Sequence, residues 1–400
     1  MRILIDLQAC QGESRFRGIG HYSFSLAQSM AKLGKERGHD IWLLLNSLYD
    51  SKDLSDKFLQ WIPREHIVEF GIDDNMLLED IRLQVINKIH PDIIHITEPF
   101  GGYLDDVVVS ISNTSKDIYT ATTLYDFIPF IHPDLYLIDE NYRKFYLERL
   151  DTIKQSNLFL AISEHSKNEG INVLNLIPEQ VSNISAAVDS QFKKNNYSEE
   201  EQFELLKKYN IKQSFVLYVP GGFDPRKNFD RLLIAYSKLS LDIRNKHQVV
   251  IGSKVSDEIK IDILNKANSY GIDSDSIVLT GYLDENELIA LYNLCKLYVF
   301  PSLHEGFGLP VLEAMACGAP VIGSNTTSIP EVIGYEDALF DPYSVESIYI
   351  KMHKCLTDKN FENTLRKHSE EHAKKFSWDN SAIKALDKFE EFYKEIKKEI

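Results

Sequence analysis

The chain has 400 residues, 44% of them hydrophobic and 26% charged, which is enough for two to three soluble domains with full cores. Its formal net charge of −16 argues against a nucleic-acid partner, whose phosphate backbone calls for a basic face. Cys10, Cys295, Cys317 and Cys355 lie far apart with no CxxC pair, which speaks against a metal site or a disulfide framework and for a reducing compartment.

In chain order, the first apolar run is RILIDL, within MRILIDLQAC. That terminus lacks the length and cleavage site of a signal peptide, and no later stretch approaches the roughly 20 apolar residues that span a bilayer. A cytoplasmic protein is expected. RFRGIGHYS, residues 15–23, sets Gly18 and Gly20 ahead of the helix-like HYSFSLAQSMAKLG. Strand-like DIWLLL, helix-like MLLEDIRLQVINKIH, and strand-like DIIHIT, DIYTATTLYD and LFLAIS follow. β-rich runs joined by helices imply parallel strands covered on both faces.

The polar stretch VDSQFKKNNYSEEEQFELLKKYNIKQ breaks the pattern, and a linker is expected over 189–212. Alternation then restarts with SFVLYVP, NFDRLLIAYSKL, QVVIGS, a helix, SIVLTG, ENELIALYNLCK, LYVFPS and, after a glutamate-bearing segment, APVIGS. SAIKALDKFEEFYKEIKKEI reads as a charged amphipathic helix, either solvated or strapping two halves together. The expected class is α/β: doubly wound halves at 1–195 and 213–375, then a terminal helix at 376–400. Ligands of such sheets bind beyond the carboxyl ends of the strands, here in a cleft between two facing sheets.

The most informative segment is PSLHEGFGLPVLEAMACGAP, residues 301–320. Glu305 follows a buried strand. Gly306 and Gly308 let the backbone turn and approach a ligand without a Cβ in the way. Pro310 suits the first helical position and Gly318 a left-handed cap, giving a helix over 310–317. Its free N–H groups suit a phosphate or diphosphate. Glu313, one turn in, tilts back toward the same guest. A carboxylate repels diphosphate, so its better partner is a pair of ribose hydroxyls. Glu305 faces the other side, where a sugar would sit. The plainer alternative makes Glu313 a helix-dipole partner and Glu305 a solvated loop residue.

Other strand ends add to this. In YVPGGFDPRKNFDRLL, Arg226 and Lys227 precede a helix capped at Asn228, and two cations there can neutralise a departing diphosphate; the alternative is an ordinary surface turn. Gly18 and Gly20 form a G-x-G without the full dinucleotide fingerprint, flanked by Arg15 and Arg17. Tyr125 and Asp126 end a strand, and Tyr125 is either a ligand contact or a packed aromatic. His132 reads as a loop residue and Ser163 as an N-cap. His95, Glu98, Gly101 and Gly102 could line an acceptor site. After Gly281, Tyr282 and Leu283 could meet a nucleotide base, with Asp284 capping the next helix.

HEGFGLPVLEAMACGAPVI, with Glu305 and Glu313 in an E-x7-E arrangement, resembles the signature of family 4 glycosyltransferases. GGFDPRKN, LTGYLDENELIALY, PSLHEGFGLP and SIPEVIG, in that order, are similar to that family's nucleotide-sugar domain. RGIGHYS and LYDFIPFIHPDLY resemble the first half of bacterial members that build O-antigen and capsule chains. The resemblance implies a GT-B fold of two Rossmann-like domains and a retaining transferase with neither cofactor nor metal. It implies that Glu305 contacts the donor sugar and that Glu313 binds the ribose. It gives the diphosphate to Arg226 and Lys227 and the turn Gly306, Phe307, Gly308 and Leu309 to the donor. Gly18, Gly20, Tyr125, Asp126, Gly222, Tyr282 and Leu283 complete the implied donor contacts. Many relatives carry histidine at Tyr125 and arginine about where Gly222 sits. In that fold the terminal helix commonly crosses back to the first domain.

The expected reaction moves a hexose, mannose from GDP-mannose first and a UDP-hexose second, to a saccharide or lipid-linked saccharide. Peripheral contact with the inner membrane face or with a partner protein is compatible with it. An epimerase or phosphorylase of the same fold, and a non-catalytic partner subunit, are the rivals.

Overall fold

The computed structural model describes residues 1–73, 75–111, 115 and 117–399. The strands are β1 (Arg2–Asp6), β2 (Asp40–Asn46), β3 (Ile67–Phe70), β4 (Ile93–Ile96), β5 (Tyr119–Leu124), β6 (Leu158–Ala161) and β7 (Val181–Asn183) in the first sheet. The second sheet holds β8 (Ser214–Tyr218), β9 (His247–Ile251), β10 (Ile277–Leu279), β11 (Leu297–Phe300), β12 (Val321–Ser324) and β13 (Leu339–Phe340). Every recorded pairing is parallel. Parallel strands need helical crossovers, which cover both faces. Hence Ile3, Leu4 and Ile5 of β1, and Leu297, Tyr298 and Val299 of β11, are all fully buried.

The order in the first sheet is β3-β2-β1-β4-β5-β6-β7, and in the second β10-β9-β8-β11-β12-β13. Each sheet is wound outward in both directions from an inner pair, β1 with β4 and β8 with β11. At such a reversal the two following loops part and leave a crevice. The two-sheet α/β expectation is met. Strands β3, β7 and β13 were not legible in the residues; they are short edge strands and lack the doubly buried run that marks a central strand.

The chain divides into two compact units, Met1–Ala187 with the chain from Ser377 onward, and Val188–Phe376. The expected 189–212 linker is corrected by this division. Helix Glu199–Lys208 lies within it, closed by a capping box in which the Glu201 N–H donates to Ser198 Oγ at 3.2 Å and the Ser198 N–H to Glu201 Oε2 at 2.7 Å. The Asn195 N–H donates to Asn293 Oδ1 at 2.8 Å, and Lys194 pairs with Glu370 at 2.7 Å. The stretch reads as linker because this helix has no buried residue, so its composition is that of a solvated surface.

The final helix, Trp378–Glu399, packs on the first unit. Ala382, Ala385, Leu386 and Phe389 are fully buried. Trp378 meets Tyr22 of helix Gly18–Glu36 edge-on at 5.3 Å, and Phe392 meets Tyr119 of β5 at 5.3 Å. Arg37 pairs with Asp387 at 2.6 Å and His39 with Glu390 at 3.0 Å.

In the second unit, Glu362 anchors a charged brace. Its carboxylate is almost wholly buried and takes Lys296, Lys359 at 2.9 Å and Arg366 at 3.1 Å. Arg366 also donates to the carbonyls of Gly318 at 3.1 Å and Cys295 at 2.8 Å, tying the start of β11 to the end of the following helix. Burial works against the ionised carboxyl, but the hydrogen bonds from Lys296, Lys359 and Arg366 prevail and bring its pKa down from 4.5 to about 2. A depressed carboxyl stabilises the fold above its unfolded value, and that contribution is lost as pH falls from 4.5 toward 2. Glu362→Gln is therefore expected to cost the second unit roughly 2–3 kcal/mol at pH 7. The gap between the urea melts of the two proteins should narrow as pH is lowered from 4.5 toward 2; a gap of constant size would refute the ionic account.

Candidate active site

At the reversal of the second sheet, the loop after β8 carries Arg226 and Lys227 and the loop after β11 carries Glu305. Chain separations of 79 and 78 residues close to hydrogen-bond length. Arg226 Nη1 donates to Glu305 Oε2 at 2.9 Å and Lys227 Nζ to Oε1 at 2.6 Å. Arg226 Nη1 also donates to the His304 carbonyl at 3.0 Å, and the Leu303 N–H to the Arg226 carbonyl at 2.7 Å. Glu305 is 9% exposed, so the solvated-loop alternative does not hold. Burial opposes its charge, but the Lys227 and Arg226 cations prevail and keep its pKa below the ordinary carboxyl value. Its carboxylate is therefore ionised at neutral pH and fixed in direction by two donors.

Local chemistry shapes both loops. Asp224 Oδ1 accepts from the Arg226 N–H at 3.0 Å and caps the short turn Pro225–Lys227. Asn228 stands at the start of helix Phe229–Ser237, as expected, but it does not cap it with its side chain. At φ 59° its Nδ2 instead donates to the carbonyls of Pro301 at 2.9 Å and Pro342 at 2.7 Å. The helix expected over 310–317 runs Leu309–Ala316, with Pro310 second rather than first. Gly308 takes φ 106°, and a Cβ there would lie 2.7 Å from Ile329 Cδ1. Gly318 adopts the expected left-handed cap at φ 75°.

Glu313, on the first turns of that helix, is half-buried. Its Oε2 accepts from the Tyr292 hydroxyl at 3.1 Å. Burial, then the charges of Asp189 and Glu285, raise its pKa to about 7, against the Tyr292 bond. A carboxylate in that state gains from hydroxyl donors.

The remaining expected contacts divide. Phe307 is buried, its ring 5.9 Å from Phe376, and Leu309 is partly exposed. Gly222 lies in open space at φ 143°, a backbone that an arginine side chain rarely adopts. Tyr282 is 76% exposed, whereas Leu283 is half-buried, and a Cβ on Gly252 would lie 3.1 Å from it and 3.0 Å from Val219. These three residues pack together at the carboxyl edge. Asp284 caps the next helix in a capping box with Glu287.

In the first unit, Gly18 is exposed at the start of its helix, while a Cβ on Gly20 would lie 2.5 Å from the Ser14 carbonyl. Gly20 is thus required by its own loop. Tyr125 is a packed aromatic: its hydroxyl donates to the Thr97 carbonyl at 2.9 Å and lies 3.1 Å from Ser23 Oγ. Asp126 Oδ1 accepts from the Ile128 N–H at 3.2 Å. Ser163 is the N-cap of Glu164–Leu174. His95 does not line a surface site. It is fully buried at 2.9 Å from Thr123 Oγ1, its pKa lowered by burial to about 4.

The loop after β12 was given no residue role from the sequence. The Glu305 N–H donates to Thr327 Oγ1 at 3.2 Å, and Ser328 Oγ lies 2.9 Å from the Glu305 carbonyl and 2.8 Å from that of Phe307, its one proton shared between them. Thr327 holds φ 54°, costly for a β-branched residue. Only the SIPEVIG pattern marked this loop, and nothing in it points to Thr327.

Residues 201–375 match the family described as Glycosyl transferases group 1. The chain is 37% identical to the serotype-specific mannosyltransferase WbdA of Escherichia coli, over 97% of this chain and 48% of that protein. It is 31% identical to O-antigen chain mannosyltransferase B of Escherichia coli, over 67% of this chain and 69% of that protein. The chain spans about half the length of the WbdA relatives it matches. Among solved structures it is similar in fold to Anabaena HepE, crystallised with UDP and glucose, at TM-score 0.69 and 14% identity over 98% of this chain and 100% of that one. It is likewise similar to sucrose-phosphate synthase from Thermosynechococcus elongatus, at TM-score 0.70 and 17% identity over 98% and 99%.

Two Thr327 variants separate strain from bonding. Thr327→Val keeps the strained backbone and strands the Glu305 N–H, at a cost of about 1–2 kcal/mol. Thr327→Gly loses the same bond but relaxes the backbone, and should melt as though about 1 kcal/mol more stable than the valine variant. Equal melting temperatures would mean the positive φ stores no strain.

Proposed function

The chain belongs to the group 1 glycosyl transferases, and from that premise we propose that it moves a hexose from a nucleotide-diphosphate sugar to a saccharide hydroxyl in cell-surface polysaccharide synthesis. Mannose from GDP-mannose is the first choice, supported by the mannosyltransferases to which the chain is similar. The observation that carries the reading is the Arg226–Glu305–Lys227 cluster at the second sheet's reversal.

The diphosphate binds against Arg226, Lys227 and the backbone of the turn 306–309 that leads into helix Leu309–Ala316, where Pro310 has no N–H and the Val311 N–H is already given to the Gly308 carbonyl. Glu313, with Tyr292 behind it, takes the ribose hydroxyls. The base lies against Val219, Gly252 and Leu283. The bond between the sugar's anomeric carbon and the diphosphate oxygen breaks with oxocarbenium character. The two cations stabilise the departing charge without reorganising. The ionised Glu305 stabilises positive charge on the sugar. The acceptor hydroxyl attacks from the face the diphosphate leaves, its proton passing to a diphosphate oxygen, so configuration is retained. Positive charge for the leaving group comes from Arg226 and Lys227, and turnover in EDTA is part of the proposal. Among the described residues no helix is long and apolar enough to cross a membrane; reaching a lipid-linked acceptor would take peripheral contact or a partner protein.

A thermal-shift screen with GDP, UDP, ADP and dTDP in EDTA tests the donor site, since a ligand of the native state raises the melting temperature by mass action. GDP is expected to give the largest shift, and Glu313→Ala to weaken it. The hydroxyls favour ionised Glu313, so nucleotide affinity should fall by up to about tenfold per pH unit below 7 and level off above it. No shift from folded protein with any nucleotide would defeat the reading. Glu305→Gln should lower kcat by about 10²-fold or more while keeping the nucleotide shift. Undiminished kcat in that variant would remove Glu305 from the reacting centre.

A further inference from the structure

The first sheet reverses between β1 and β4, and side chains of the two loops that follow bond to one another across that reversal, Ser14 to Glu98 and the Glu13 N–H to Asp105. Three acids gather there. Asp6 takes Arg82 Nη2 at 2.5 Å and Nε at 3.0 Å, and Gln8 Nε2 at 3.0 Å. Asp105 takes the N–H groups of Gly102 and Glu13, each at 2.9 Å. Glu98 is different. It is 7% exposed, its Oε1 accepts from the Ser14 hydroxyl, and its Oε2 is buried with no hydrogen-bond partner among the described residues.

Leaving a carboxylate oxygen buried and unpaired costs free energy that a hydroxyl or amide donor would recover. Among the described residues no cation pairs with it. Burial, and then Asp105 and Asp6, raise the Glu98 pKa to about 7, against the Ser14 bond and Arg17. Cys10, Tyr49 and Tyr125 also feel its charge, and burial raises each of their own pKa values. Ser14, on the single turn Glu13–Phe16, holds Oε1 and leaves Oε2 for a ligand. Gly101 lets the loop pack close, since a Cβ there would lie 2.5 Å from Val107 Cγ1 and 3.1 Å from Glu98 Cδ.

We propose that Glu98 and Ser14 seat a hydroxyl of the acceptor saccharide, with Glu98 Oε2 as the hydrogen-bond acceptor. This rests on the transferase reading above for the identity of the ligand. Glu98 binds and orients in this role; it is not a nucleophile, and no proton need pass to it. Glu98 Oε2, buried beside the sheet reversal and without a hydrogen-bond partner among the described residues, is what points to a ligand, where a helix end or an acidic cluster alone would not.

The test is titration calorimetry of the full chain with mannotriose, in wild type and Glu98→Gln, across pH 6 to 8.5. Wild-type affinity should rise as pH increases through about 7, as hydroxyl donors favour the ionised form. Glu98→Gln should bind at least tenfold more weakly and show no such profile. In transfer assays with GDP-mannose, the variant's KM for mannotriose should rise at least tenfold, and by more than its KM for GDP-mannose. Equal saccharide affinity in the two proteins, or a variant that is merely more stable, would overturn the proposal and leave Glu98 a structural residue. Absence of saccharide binding by wild type would overturn it as well. Loss of the GDP-induced thermal shift would instead sink the nucleotide-sugar reading, and the saccharide titration would still decide this one. Should Glu98→Gln not fold, the wild-type pH profile decides alone, a flat profile counting against Glu98.

Discussion

A carboxylate cannot be buried alone. Glu305 sits at the bottom of the crevice between β8 and β11, and its charge is tolerable there because Arg226 and Lys227 close on it from the neighbouring loop. That requirement fixes the relation of two loops far apart in sequence. The Arg226 guanidinium and the Leu303 N–H then lock the backbones to each other. The loop after β12 completes the frame from the other side, through Thr327 and Ser328. A threonine at positive φ persists because the surrounding bonds over-determine it.

The two glutamates of the second unit have opposite characters for physical reasons. Glu305 has two cations and stays ionised. Glu313 has a tyrosine hydroxyl and two acids nearby, and is close to half-protonated at neutral pH. Environments that push similar groups apart assign them different work: one carboxylate as a fixed negative charge, the other as an acceptor awaiting donors. Glu98 in the first unit belongs with Glu313 in this respect, since its free energy also improves when a donor arrives.

Much of this was legible in the residues because it is local. Doubly buried runs such as RILID and LYVF announce central parallel strands, the glycines around Phe307 announce a turn, and Asp284 and Ser163 announce caps. What was not legible depends on contacts across the chain. Asn228 looks like a cap, yet its amide serves two distant carbonyls. His95 stands at a strand end like a ligand contact, but helix Trp378–Glu399 covers it with Phe389, 6.1 Å away. Tyr125 gives its hydroxyl to Thr97 in the adjacent strand's loop. Thr327 has no composition signal because its role lies in a dihedral angle and one long-range bond. The helix at Glu199–Lys208 was hidden because a fully solvated helix has the same composition as a linker.

The first unit is built from both ends of the chain, while the second is one uninterrupted segment. During synthesis the 187 residues of the first part emerge well before the helix that completes them. Until then Tyr22, Tyr119 and their neighbours lack the apolar cover that Trp378, Phe389 and Phe392 provide. The second unit has every residue it needs once Phe376 has left the ribosome. Completion of the two cores therefore runs against the order of translation: the later-made unit has its whole core in one segment, while the earlier-made one gains its last apolar cover from residues made after both.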